Sequence, residues 1–510
     1  MQEEYQAFRV QKTEGIGSEG PFLLSVGGRS VKILPALARE ALLQWVTYVI
    51  ISVMKKFDVM VIGAGSAGRY GAKAAASLGA KVGLVETGPF GGLCILKGCM
   101  PTKAYLRSAE LVGFLKKAPE MGIYPGRQVG VRFDQIKKRK DRLIAEMADD
   151  AYQGVIRRPN ITLLTGKARF ISKSELQVGR TRYECGRFLI ATGSKEVIPA
   201  IPGLKEAGYL TSDTALEIKS LPASMVIIGG GVEGVEFGQF FNRMGVKVTL
   251  LQRSERILSH EDEDVGEGLG GYLRKDGIDL RTGIHEVGIE KVRSRKRIYF
   301  ETEGTPAKVD ADVIMMTTGR TGHIKGLHLE EAGVETYPLG VRVNEYLQTS
   351  NPNIYAAGDV TGILLVVNVA TSQGEVAGTN VVKGPVRKAD YRVVPRAVFT
   401  DPEYARVGLS EGEAKDQGIP VRVGKFPFND LGKAIVTDQM EGFIKILADP
   451  VGGEILGVQI LGAGASNLIH QGTIAMHYRA TLRDYAKIVH VHPTMAEIML
   501  YLVEEMIGKE

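Results

Sequence analysis

Phe57 to Glu86 reads FDVMVIGAGSAGRYGAKAAASLGAKVGLVE, an order of residue types that dictates a strand, a glycine turn, a helix and a second strand. Phe57–Ile62 is a short apolar run ending in glycines, as expected of a strand buried on both faces of a parallel sheet. The alanine-rich stretch after Gly68 predicts a helix to Leu78, Gly79-Ala80 breaks it, and Lys81–Val85 predicts the next strand. Gly63, Gly65 and Gly68 sit between strand and helix. There they let backbone N–H groups approach a pyrophosphate, at a helix end that carries partial positive charge. Glu86, about 20 residues on, is placed to accept hydrogen bonds from a ribose.

The same grammar returns in Met225–Gln252, MVIIGGGVEGVEFGQFFNRMGVKVTLLQ, with Gly229, Gly231 and Gly234 as its glycines. The chain therefore carries two dinucleotide folds. The second departs at the ribose position, where Gln252 replaces an acid and Arg253 follows, with Arg256 near. A neutral side chain removes the repulsion that a 2′-phosphate meets, and an arginine can pair with that phosphate. These residues lean towards NADPH, while Gly234 as the third glycine matches the NAD type.

Pro199, Pro202 and Pro222 punctuate the approach to the second unit, glycine-rich text resumes at Tyr355–Asp359, and from about Pro395 the pattern turns strand-rich and then helical. The expected organisation is an α/β chain of two Rossmann-like domains and a C-terminal α+β domain. Its segments are an N-terminal extension (1–53), the first nucleotide domain (54–200), the second (201–325), a return to the first (326–394) and the third domain (395–510). With 510 residues, 44% hydrophobic and 24% charged, the composition is that of an ordinary globular protein. Its 63 glycines, about 12% against a usual ~7%, lie in short clusters without a repeat.

The net charge of +6 is mild, and the basic run Lys137–Lys140 is followed by Asp141 and by Glu146–Asp150. That pattern reads as a solvated helix face, and no nucleic-acid partner is expected. Three cysteines exclude a secreted disulfide scaffold and suit a reducing cytoplasm. The first 53 residues lack the basic start of a secretory signal. Ala41–Met54 is apolar but short of the ~20 residues that cross a bilayer, so it reads as a buried or interfacial helix and no membrane span is expected. Met54 is an alternative start.

Cys94 and Cys99 lie in GGLCILKGCMPTK (Gly91–Lys103), directly after the first unit. In a regular helix that spacing gives ~7.5 Å of rise and roughly 140° of rotation. Two sulfurs so placed meet only if Cys94 lies on irregular backbone, which Gly91, Gly92 and Gly98 would supply. A metal site is not expected, because only Cys185 remains and no Cys/His pair is near. Two unrelated structural thiols remain the alternative at this point. Cys185, before Phe188–Ile190, reads as a buried filler.

With Ala191-Thr192-Gly193, Thr318-Gly319-Arg320, NIYAAGDV (353–360), FTDPEYARVGLSE (399–411) and His492-Pro493-Thr494 with Glu497, this segment resembles the pyridine nucleotide-disulfide oxidoreductases. These include dihydrolipoamide dehydrogenase, glutathione reductase and mercuric reductase. The resemblance spans Phe57 to Gly508. It implies one FAD per subunit in the first nucleotide domain and NAD(P)H in the second. It implies a homodimer with shared active sites, joined through the third domain. Cys99 would be the thiol against the flavin and Cys94 the one that exchanges with substrate. Lys103 would approach the flavin and pair with Glu236. Ala191, Thr192, Gly193, Gly319, Gly358 and Asp359 would line the cofactor sites, Asp359 holding the ribityl chain. His492, reaching across from the partner subunit, would be the acid/base, oriented by Glu497. His490 would be structural.

Mercuric reductases usually carry a cysteine pair near the C-terminus, which Tyr501–Glu510 lacks, and commonly lack this histidine. LLVVNVATSQGEVAG (364–378) nevertheless looks more like that branch. The expected substrate is a small dithiol such as dihydrolipoamide. The alternatives are NADPH-driven reduction of another low-molecular-weight disulfide, and a flavoprotein whose main role is binding within a larger complex.

Overall fold

Each of the two strand–glycine–helix units forms the middle of a five-stranded parallel sheet. In the first sheet the order is Ile354–Ala356, Phe188–Ile190, Val59–Ile62, Val82–Glu86 and Ile161–Thr165. In the second it is Leu210–Thr211, Val313–Met316, Ser224–Ile228, Lys247–Leu251 and Asp279–Arg281. The central strands are almost wholly apolar because both faces are covered, and every residue of Val59–Ile62 and of Ser224–Ile228 is buried. In the second sheet Met225 and Ile227 pack on the helix Val232–Arg243, and Val226 and Ile228 on an antiparallel sheet that includes Ile289, Ile298 and Phe300. Ile354–Ala356 completes the first sheet only after the second sheet has formed, so one nucleotide fold is inserted into the other.

The third sheet is antiparallel, in the order Arg396–Val398, Glu403–Gly408, Ile455–Gly462, Phe443–Ala448 and Arg422–Pro427. The helices Ala465–His477 and Glu497–Gly508 pack on it. The fold is thus the expected α/β architecture with an α+β C-terminal part.

This computed structural model describes residues 8–12, 22–26, 29–33, 57–126 and 129–508. The chain divides into two units, Met1–Phe57 and Asp58–Glu510. The first contains a three-stranded antiparallel sheet, Phe8–Lys12, Phe22–Val26 and Arg29–Ile33 in that order. The apolar stretch Ala41–Met54 lies outside the described residues. Among the described residues no helix is long and apolar enough to cross a membrane.

Several joints hold the larger unit together, two of them as follows. The helices Cys99–Lys117 and Val232–Arg243 meet through stacked Tyr105 and Phe240 rings, 4.6 Å between centroids. Lys445, only 1% exposed, is ringed by Asp262 (3.2 Å), Asp264 (2.8 Å) and Glu411 (2.5 Å). A buried ammonium so surrounded is strongly destabilising once its partners go.

The basic run Lys137–Lys140 falls on the helix Phe133–Ile156. It carries the expected solvated pairs, Lys137–Asp141 at 2.9 Å and Arg142–Glu146 at 2.8 Å. Lys140 departs from that reading, because its side chain is buried and donates to the Leu216 carbonyl.

Candidate active site

The glycine turns are built from mutual contacts within the chain. A Cβ on Gly63 (φ +103°) would lie 2.4 Å from the Ala191 carbonyl oxygen, and one on Gly68 would lie 1.8 Å from the Gly63 oxygen. Gly65 is different, since a Cβ there would meet nothing nearer than the Gly92 Cα at 3.8 Å. First and third glycines are therefore demanded by packing, and the second keeps a bare edge for a ligand to approach. The second turn repeats this: Gly229 faces the Thr317 oxygen at 2.3 Å, Gly234 the Gly229 oxygen at 1.9 Å, and Gly231 faces open space. Gly193 and Gly319, which follow those carbonyl-bearing segments, also face open space.

The residues at the strand ends are tied back to their turns. Glu86 accepts from the backbone N–H groups of Ala64 (2.9 Å), Thr87 (2.7 Å) and Gly88 (3.1 Å). Gln252 accepts from the Gly230 N–H at 2.8 Å. Arg253 is exposed beside it. Gly358 donates to Gln373 Oε1 at 2.6 Å and places Asp359, which accepts from Ser194 Oγ at 2.7 Å. Burial pushes the Asp359 carboxyl above its usual range, against the opposing Ser194 bond and Arg320 charge. Thr192 Oγ1 donates to the His323 carbonyl at 2.7 Å. Bare glycine edges, helix N-termini and a buried carboxyl fit an extended dinucleotide at the first turn.

The cysteine segment corrects one expectation. Cys94 lies on regular backbone, the short helix Gly92–Leu96, and Cys99 opens the helix Cys99–Lys117. The irregularity falls between them, at Lys97 (φ −142°) and Gly98 (ψ −112°). A break in the middle turns the two sulfurs together as well as an irregular start would. The segment is anchored to the nucleotide turn, where a Cβ on Gly92 would come within 2.4 Å of the Gly65 Cα.

Both cysteines of the pair are free thiols, and their sulfurs are hydrogen-bonded to each other. The pair is electrically unequal. The bond from Cys94 lowers Cys99 to about 7, against burial and with help from Lys103 and a backbone N–H. The same bond and burial push Cys94 up, opposed by Lys103 and Arg69. The proton therefore stays on Cys94 and the charge settles on Cys99, at the first turn of its helix. Cys185 is buried and donates to the Arg187 carbonyl at 3.2 Å, as its sequence context suggests.

Lys103 lies one turn after Cys99. It pairs with Glu236 at 2.7 Å and sits 4.5 Å from the centre of the Phe399 ring. Glu236 also accepts from the Phe399 N–H at 2.9 Å, so one carboxylate joins the cysteine helix, the second nucleotide fold and the start of the third sheet.

At the far end of the chain His492 Nδ1 is 2.9 Å from Glu497 Oε1, and the Thr494 N–H donates to Glu497 Oε2 at 2.7 Å. Those two contacts hold the Glu497 carboxyl below its usual range despite burial. An ionised carboxylate only accepts, so Nδ1 carries the proton and Nε2 is left free. The His492 side chain is 72% exposed. The charged and hydrogen-bonding neighbours of Cys94 and Cys99 within the chain do not include it. Val489 and Val491, just before His492 in the chain, are exposed, as are Ile474 and Tyr478. His490 is held between Tyr485 Oη (3.1 Å) and the Ile488 carbonyl (3.0 Å).

The geometry thus brings Cys94, Cys99, Lys103 and Glu236 together and leaves His492 and Glu497 apart from them in one chain. Arg69 and Ser194 take part only through tertiary contacts and have no spacing that marks them. Phe399 opens the quoted stretch 399–411, but its contact with Lys103 is visible only in the fold.

The family model described as pyridine nucleotide-disulphide oxidoreductase matches residues 57–374, and that of its dimerisation domain matches 394–502. A mercuric reductase of Lysinibacillus sphaericus is 36% identical over 442 residues, covering 86% of this chain and 81% of that protein. A dihydrolipoyl dehydrogenase of Bacillus subtilis (strain 168) is 34% identical over 459 residues, covering 87% and 96%. Among solved structures, the Cu(II) complex of the HOCl-induced flavoprotein disulfide reductase RclA from Escherichia coli superposes with a TM-score of 0.79. It shares 27% identity and covers 89% of this chain and all of that one.

Proposed function

Since the chain belongs to the pyridine nucleotide-disulphide oxidoreductases, we propose that it moves two electrons between NAD(P)H and a small disulfide, using Cys94 and Cys99 as its own redox pair. The observation that carries this reading is the placement of two free thiols, hydrogen-bonded to each other, directly against the first glycine turn and one helical turn from the Lys103–Glu236 pair.

Gly63–Gly68, Glu86, Gly193, Gly358 and Asp359 would hold FAD, and Gly229–Gly234, Gln252 and Arg253 the nicotinamide dinucleotide. Bound FAD supplies the two-electron link between the nicotinamide and the Cys94–Cys99 disulfide. In the reduced protein, Cys94 gives up its proton and attacks one sulfur of the substrate R–S–S–R′. The substrate S–S bond breaks, a mixed disulfide forms on Cys94, and R′–S⁻ leaves. The proton passes through His492 of the partner subunit to R′–S⁻, the Nδ1–H being held by Glu497 and the free Nε2 being the atom that takes and returns it. Cys99 thiolate then attacks the Cys94 sulfur, closing the intramolecular disulfide. R–S⁻ departs and takes its proton from water. Lys103, held by Glu236, stabilises the charge on Cys99 throughout.

The dimerisation domain supports a homodimer, in which the exposed His492 of each chain completes the other's site. A dithiol of the dihydrolipoamide class is the proposed substrate: R and R′ are then one molecule, the oxidation of the dithiol runs these steps in reverse, and the His492–Glu497 pair supplies the proton shuttle that its thiols need. Gln252 and Arg253 favour NADPH. A reducing cytoplasm is the compartment in which such a pair cycles.

Cys99→Ser should keep its flavin but lose the long-wavelength thiolate–flavin absorbance and all disulfide turnover; turnover surviving in that variant overturns the assignment. In the wild type this absorbance should fade as pH drops through or below about 7, because the Cys99 charge is present above that value and lost beneath it. His492→Gln should exchange slowly with an ordinary flavin spectrum, and an unaltered pH–rate profile would count against its role. Initial rates with NADH and NADPH against a disulfide panel test the substrate and cofactor readings. A clear preference for NADH removes the assignment of Gln252 and Arg253.

A further inference from the structure

Arg69 is the fourth residue of the helix Ser66–Ser77 and only 8% exposed. Among the described residues its Nε, which is buried, has no hydrogen-bond partner. The titratable groups around it are Tyr70 and Cys94, with Lys73 as a like-charged neighbour and no carboxylate among them. Burying an unpaired cation is expensive, so a guanidinium kept there implies an anion that arrives in the working protein.

Position says which one. The Arg69 N–H donates to the Gly65 carbonyl at 2.9 Å, and Gly65 is the residue against which Gly92 packs. The short helix bearing Cys94 therefore starts beside the turn that precedes Arg69. The groups facing Cys94 are Cys99, Lys103 and Arg69. Lys103 is already committed to Glu236 at 2.7 Å, which leaves Arg69 as the uncommitted cation. The second nucleotide turn has Val235 at the corresponding position, so the fold itself does not require a cation there.

We propose that Arg69 is the counter-charge of the Cys94 thiolate, a positioning residue that holds the anion at the moment of exchange. This role rests on reading Cys94 as the thiol that meets substrate.

The test uses the flavin-loaded protein with Cys99→Ser, so that Cys94 is the one thiol of the pair. The rate of iodoacetamide alkylation is followed against pH, and the labelled peptide is identified by mass spectrometry. Adding Arg69→Gln or Arg69→Met should raise the alkylation midpoint of Cys94 by about one pH unit, a tenfold loss of thiolate below the midpoint. Arg69→Lys should retain most of the original midpoint. Removing an unpaired cation relieves the fold, so both neutral variants are expected to be well folded. An unchanged midpoint in both overturns the proposal. So does loss of bound flavin at an unchanged midpoint, which would give the guanidinium to the dinucleotide pyrophosphate. The underlying reading fails separately: in reduced protein with both cysteines, first alkylation on Cys99 would remove Cys94 as the exchanging thiol and leave the Arg69 comparison intact.

Discussion

Gly63–Gly68 and Gly229–Gly234 are one turn built twice in the same chain. The clash that a Cβ would make at the first glycine is 2.4 Å in one and 2.3 Å in the other, and at the third it is 1.8 Å and 1.9 Å. The tether from the strand end to the turn is 2.9 Å from Ala64 to Glu86 and 2.8 Å from Gly230 to Gln252. The two turns differ where a ligand would touch them. Glu86 is an acid and Gln252 an amide; Arg69 is a buried cation and Val235 is apolar. The backbone turn is set by packing and is alike in both, while the side chains around it are free to specify different dinucleotides.

The most forceful way to break this comparison is to fill the third glycine. Gly68→Ala and Gly234→Ala each drive a methyl into a carbonyl oxygen, beyond the 1–3 kcal/mol typical of overpacking. About 3 kcal/mol is more than a hundredfold in affinity. Gly68→Ala should purify without bound flavin. Gly234→Ala should purify yellow and bind NAD(P)H more than about a hundredfold more weakly. Flavin content and stopped-flow reduction separate the two. If both variants lose flavin, the turns are not independent sites.

A charge at the strand end sharpens the difference. Gln252→Glu places a carboxylate where a 2′-phosphate would lie, and two like charges a few ångströms apart near the surface repel by about 1 kcal/mol or more. The KM for NADPH should rise about fivefold or more while that for NADH holds or falls. An unchanged ratio of the two would mean that the ribose end is read elsewhere than at Gln252.

The comparison also shows what a sequence can disclose. The parallel sheets were legible because central strands buried on two faces are apolar throughout, and glycines follow where the backbone has no room for a Cβ. The cysteine segment was misplaced by one feature. The spacing points to irregular backbone at Cys94 itself, whereas Cys94 lies in a short helix and the break falls at Lys97-Gly98 with a helix on either side. Arg69 and the ring of acids around Lys445 leave no local trace. Their importance comes from residues far along the chain: Cys94 is 25 positions from Arg69 by the numbering, and Asp262 lies 183 positions from Lys445. His492 and Glu497 were visible as a motif, although which chain they serve is a matter of assembly.

The smallest effect concerns the tethers. In Gln252→Ala the Gly230 N–H loses its one side-chain acceptor, a loss of about 1 kcal/mol or about fivefold in local opening. In Glu86→Ala three N–H groups lose their acceptor together, and the acceptor was ionised, which strengthens such bonds about twofold. Hydrogen exchange of the ligand-free protein should therefore quicken more at Ala64, Thr87 and Gly88 in the second variant than at Gly230 in the first. In each case the other turn should keep its rate. Equal acceleration at both turns would show a shared opening motion, and the two folds would then move as one body despite their separate sheets. Acceleration confined to the mutated turn is the outcome that duplicated, independently tethered turns require.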